Sequence, residues 1–182
     1  MKRLLILLFE LTTLRKGPQD IPSALAVQQW VFGMYLLVNM ALLQLTSSWP
    51  TVLLQLLVDL VLMAGFTWPL LYFAGHLARF PQTLTALLGA DAIINFCALP
   101  ALASLTQQPT EIGIFAMLLL MLWHWLVIGH IYRHALERPL LFTLALAFLY
   151  LMLSSQIMEA LFPAISSVTP ELPEQTANLH NS

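Results

Sequence analysis

Residues 109–134 read Pro109-Thr110-Glu111, then IGIFAMLLLMLWHWLVIGHIY over 112–132, then Arg133-His134. Between Glu111 and Arg133 there is no Asp, Glu, Lys or Arg. At about 1.5 Å per residue such a run is long enough, as a helix, to cross the roughly 30 Å of hydrocarbon in a bilayer. Proline suits the first turn of a helix, where its missing N–H has no intrahelical partner to lose. The stretch predicts one transmembrane helix over about 111–132, with a basic residue at one mouth only.

The rest of the chain repeats that reading. It has 182 residues, 59% of them hydrophobic and 9% charged, with a mean hydropathy of +0.82. This is more apolar surface than a soluble domain of that length can bury. Further apolar runs cover about 23–46, 51–74, 83–105 and 140–162. Each of the five runs has a proline at or just before its start: Pro22, Pro50, Pro81, Pro109 and Pro139. Pro69 and Pro100 fall inside the second and third runs, where they are expected to kink the helices. The expected fold is all-α: one bundle of five transmembrane helices over 23–162, with no internal repeat of the kind that builds inverted-repeat transporters.

Residues 1–22 carry a shorter apolar run, Leu4-Leu5-Ile6-Leu7-Leu8-Phe9, interrupted by Glu10 and followed by Arg15-Lys16 rather than a small-residue cleavage site. That order speaks against a secretory signal. It predicts a short interfacial helix with Leu, Ile and Phe in lipid and Lys2, Arg3, Arg15 and Lys16 among headgroups. Residues 163–182, rich in Ser, Thr, Pro, Glu and Asn, read as a disordered extracytoplasmic tail.

Charge fixes the expected orientation and excludes one class of function. All seven Lys and Arg (Lys2, Arg3, Arg15, Lys16, Arg79, Arg133, Arg138) fall on one side of the five spans. The positive-inside rule therefore puts the N-terminus in the cytoplasm and the C-terminus across the membrane. Seven Lys and Arg against nine Asp and Glu leave a formal charge of −2, with no basic surplus for nucleic acid. The single cysteine, Cys97, reads as a small packing residue, and alone it can build neither an internal disulfide nor a multi-cysteine metal site.

Polar residues within the spans are the candidates for function, because a charged side chain at mid-membrane costs about 2.5 kcal/mol or more. Asp59 lies in the second span, Asp91 and Asn95 in the third, His124 and His130 in the fourth, and Glu159 toward the end of the fifth. Asp91 and His124 lie at similar distances from the basic mouth, and Asn95 follows Asp91 at i+4 on the same face. Gly89, Ala90 and Ala92 around Asp91 allow another helix to come close, so the third span is expected to be interior. Two readings fit an Asp91–His124 meeting: a buried contact that fixes helix register, and a proton relay or substrate contact. Asp59 and Glu159 are placed nearer the outer face, Asp59 without an evident partner. His76, His130 and His134 share the basic side and could ligate a metal or, from neighbouring helices, haem b. No carboxylate or thiolate completes a metal motif there, and Arg133 would repel a cation. No nucleophile, phosphate-loop or dinucleotide motif appears, so no cofactor and no enzymatic activity are expected.

The stretch Leu14-Arg15-Lys16-Gly17-Pro18-Gln19-Asp20-Ile21-Pro22-Ser23 resembles the opening of bacterial inner-membrane members of the Yip1-like family, small proteins with five spans, short loops and a cytoplasmic N-terminus. The resemblance covers roughly residues 14–160, mostly as topology. Eukaryotic members carry a longer N-terminal region with a Tyr-Gly-Pro motif and work with small GTPases. Here only Gly17-Pro18 stands, so a GTPase partner is not carried over. The resemblance implies a non-enzymatic interaction, assembly or scaffold protein of a bacterial inner membrane, whose partners are lipids and another membrane protein or a second copy of itself. The alternative from the residues is a small redox (haem b) or transport subunit using the intramembrane His and Asp.

The orientation has a direct check. Alkaline phosphatase fused after Ser182 is expected to be active, and inactive when fused after Arg79 or Arg138; the reverse pattern would refute the charge assignment.

Overall fold

The computed structural model describes residues 2–107 and 110–163. They form α1 (Lys2–Thr12), α2 (Leu25–Leu43), α3 (Trp49–Phe73), α4 (Phe80–Gln107), α5 (Glu111–Leu136) and α6 (Leu140–Leu161), with single 3-10 turns at Pro18–Asp20 and Leu77–Arg79. No strand occurs among the described residues. Helices α2 to α6 are each long and apolar enough to cross a membrane. The tail at 164–182, for which disorder was expected, lies outside the described residues, as do Met1, Gln108 and Pro109.

Local sequence explains the helix ends. Thr110 caps α5, its hydroxyl oxygen accepting from the Gly113 N–H at 3.1 Å, with Glu111 in the first turn. Such a cap satisfies one of the donors that a helix start leaves free. At its other end α5 runs to Leu136, four residues beyond the expected 132. Arg133 and His134 sit in the last turn rather than past it, where positive charge suits the helix dipole, and Glu137 closes the helix in the left-handed region at φ 55°. Pro81 stands in the first turn of α4, while Pro69 and Pro100 lie inside α3 and α4, which continue through them.

Helix α4 is the centre of the bundle. It contacts α1, α2, α3 and α5. Half of its most apolar window is buried, against 28% or less for the other four spans. Every residue from Thr85 to Ala92 is buried, the pattern of a helix enclosed on all sides. The small residues there let neighbours in: a Cβ added at Gly89 would come within 2.6 Å of Leu8 Cδ2 and 3.3 Å of Val31 Cγ1. Cys97, expected as a packing residue, is instead exposed, because it lies on α4 beyond the enclosed stretch.

The expectation for the N-terminal segment changes most. A helix forms, but it does not lie free at a surface. Leu8, Leu11 and Thr12 are buried to 1% exposure or less, while Leu5, Ile6 and Phe9 stay exposed. The Thr12 carbonyl accepts from the Trp123 indole N–H at 2.8 Å, and the Lys16 carbonyl is 3.0 Å from Nε2 of His130. Seven residues of α5 separate those two contacts, roughly 10 Å of helix axis, so the end of α1 reaches that much deeper into the bundle than Lys16 does. Leu14, at φ 63°, turns the chain back. Residues 17–21 then form a turn closed by the Gly17 N–H donating to Asp20 Oδ2 at 3.0 Å, and the Gln82 amide fastens it to the start of α4 by donating to the Ile21 carbonyl at 3.2 Å. An amphipathic helix has one apolar face, and here the gap at Gly89 takes part of it in place of lipid.

If α1 docks in this way, Gly89→Leu overpacks the Leu8 contact. Overpacking costs typically about 1–3 kcal/mol, so hydrogen exchange in residues 3–16 should accelerate while the five spans keep their protection. Unchanged exchange would mean that α1 does not rest on Gly89.

Candidate functional site

Four helices, α2 to α5, bring polar side chains together inside the bundle. Asp91 comes eleven residues after Phe80, roughly 16 Å along α4, and Asp59 ten residues after Trp49, roughly 15 Å along α3. Asp59 is therefore central rather than near the outer face. Asp91 Oδ2 accepts from the side-chain amides of Asn39 at 2.8 Å and Asn95 at 3.0 Å. Its other oxygen, Oδ1, lies 3.6 Å from Nε2 of His124, close enough for Coulombic attraction and too long for a strong hydrogen bond.

The two asparagines complete each other. Asn95 also donates to Oδ1 of Asn39 at 2.9 Å, and Asn39 uses a further N–H on the Tyr35 carbonyl at 3.1 Å. Tyr35, which is fully buried, sends its hydroxyl to Asp59 Oδ2 at 2.6 Å. Both carboxylates are thus met by donors from α2, four residues apart on one face. In a medium without water such donors are what make a carboxylate tolerable. A separate contact, the Thr67 hydroxyl with the Tyr132 hydroxyl at 3.1 Å, ties α3 to α5.

Asp59, Asp91 and His124 all face a cavity of about 250 Å³, whose other walls include Tyr150, Ser154 and Ser155 of α6. Met121, Met152 and Ser155 at its rim are exposed, so the cavity opens on that side. Opposite, Gly89, two residues before Asp91, and Trp123, adjacent to His124, are covered by α1. The cavity thus reaches the outer, lipid-facing surface of α5 and α6, while α1 covers the opposite side.

The remaining sequence candidates lie elsewhere. Glu159 is exposed near the end of α6. His130 and His134 stack edge-on with ring centroids 4.6 Å apart, but His76 turns to Glu137, with Nε2 at 3.8 Å from Oε2. Among the described residues no three His, Cys, Asp or Glu side chains form a group able to hold a metal ion. Arg79 donates to Glu137 Oε1 at 2.6 Å, and this hydrogen bond holds the Glu137 carboxyl below its usual range.

Sequence reasoning overlooked Tyr35, Asn39 and Tyr150. Asn39 carried a usable signal, an amide inside an apolar span, and the i, i+4 relation would have added Tyr35. Comparison of the chain with protein-family models, curated proteins and solved structures finds no match.

The distances rank the couplings. Losing a partner strands a buried polar group at about 1–3 kcal/mol, so Asp91→Leu should lower detergent stability more than Asp91→Asn. In double-mutant cycles read by thermal unfolding, Asp91 with Asn39 should couple more strongly than Asp91 with His124. The opposite order would contradict this geometry.

Proposed function

We propose that the chain is a non-enzymatic multi-pass protein of a bacterial inner membrane, N-terminus inside and C-terminus outside, that relays protons through the Asp91–His124 pair with Asp59 as a second carboxylate. The observation that carries this reading is the shared cavity. A pair needed only to fix register is best sealed in protein, where every group has a fixed partner. Here two carboxylates and an imidazole line one cavity, and His124 lies at 3.6 Å from Asp91, a distance that leaves its ring nitrogen free to exchange a proton. An Asp and a His together suit that task, since each side chain can carry or give up a proton.

Scaffolding or assembly is the second reading. It rests on the five-span topology and short loops that the chain has in common with the Yip1-like family, with lipids and a membrane protein or a second copy as partners. In that case the network would serve only to hold α2, α3, α4 and α5 in register.

Reconstitution separates the two. In liposomes loaded with a pH-sensitive dye, the protein should collapse an imposed pH gradient. Asp91→Asn should fall to the level of protein-free vesicles, and Glu159→Gln should match the parent chain. Equal rates for parent and Asp91→Asn, with both eluting as folded protein, would reject the relay and leave the scaffold.

A further inference from the structure

At the end of the bundle that carries Arg79, Arg133 and Arg138, a cavity of about 450 Å³ lies between α4, α5 and the 17–21 segment, and all three guanidinium-bearing residues line it together with Gln82 and His134. Glu137 is the one acid in its wall. It is occupied by Arg79, which also approaches the His134 and Ala135 carbonyls at 3.5 and 3.4 Å. Arg79 is therefore a structural cation that closes the end of α5. Arg133 and Arg138 are exposed and have no acidic partner among the described residues. Two uncompensated guanidiniums at the mouth of one cavity make a site for an anion, and their planar donor pairs match phosphate oxygens.

A second cavity, about 360 Å³, adjoins the first and shares Arg138 with it. Its other walls are apolar, including Leu70 and Phe73 of α3, Leu136 of α5, and Phe142 and Leu146 of α6. A basic chamber and an apolar groove that meet at Arg138 together have the polarity of a phospholipid laid lengthwise. A free inorganic anion would use the chamber and leave the groove unfilled, whereas a neutral lipid would use the groove and leave Arg133 unpaired.

We propose that this composite cavity is a binding site for an anionic phospholipid, its headgroup phosphate held by Arg133 and Arg138 and an acyl chain lying in the groove past Phe142. The site is independent of the carboxylate network: it lies at the helix ends, and its residues belong to neither the relay nor its cavity. Basic pockets between spans on the cytoplasmic side take acidic headgroups in this way, and the orientation proposed above puts this end in that leaflet.

The test uses the full chain, purified in detergent and stripped of lipid. Phosphatidylglycerol should raise its unfolding midpoint saturably by several degrees, because a ligand that binds only the folded state stabilises it. Phosphatidylcholine and inorganic phosphate should not. The double variant Arg133→Gln/Arg138→Gln should keep its own midpoint but lose the shift. An equal shift from phosphatidylcholine would show that the site does not select a net negative headgroup, and an equal shift from phosphate would show a small-anion site. An undiminished shift in the double variant would move the lipid elsewhere. Each of these overturns the proposal. Native mass spectrometry of the unmodified chain with equal amounts of the two lipids gives a readout that needs no variant: preferential retention of phosphatidylglycerol supports the site, and indifferent retention rejects it.

Discussion

A carboxylate in the middle of a bilayer has no water to solvate it, and Asp91 stands on the helix around which α1, α2, α3 and α5 pack. Its oxygens must be met by protein, and the donors come from Asn39 on α2 and Asn95 on its own helix, with His124 of α5 facing the other oxygen. Because the amide contacts are short-range and directional, they specify rotation and depth for α2 and α4, and His124 brings α5 beside the same carboxylate. Dispersion between apolar side chains cannot do that, since lipid tails offer nearly the same contact. Asp59, met by Tyr35, adds α3 to the same register.

The enclosure of α4 follows from that requirement. Small residues flank Asp91 and permit approach from two sides, so that α1 and α2 converge at Gly89. The indole of Trp123, beside His124 in sequence, is spent on the end of α1. That contact replaces the interfacial position a tryptophan usually takes. Trp125 is used in the same way, donating to the Leu144 carbonyl at 2.9 Å where α6 passes close to Gly129. The polar centre is covered by α1 on one side and lined by a cavity on the other.

Hydropathy and proline placement made the five spans legible, because bilayer thickness imposes a length that few other structures need. Depth counting from the basic mouth matched Asp91 with His124, and helical periodicity matched Asp91 with Asn95. The same counting misplaced Asp59, whose span starts at Trp49 and carries it to mid-bundle. It also passed over Asn39, because a neutral amide scarcely disturbs a hydropathy average. The docking of α1 could not be read at all: an apolar face is equally suited to lipid and to a protein groove, and the small residues near Asp91 announce a close neighbour without naming it. The three basic-side histidines shared a side in the sequence, yet side-chain direction sends His76 to Glu137.

The central claim is that Asp91 is a working, titrating group and more than a pin between helices. Infrared difference spectroscopy of the protein in lipid, taken across a pH titration, measures this directly. The account predicts a reversible carbonyl-stretch band of a protonated carboxylic acid, present in the parent chain and absent in Asp91→Asn. A spectrum in which that substitution removes no titrating band would contradict it and make the network a fixed structural contact.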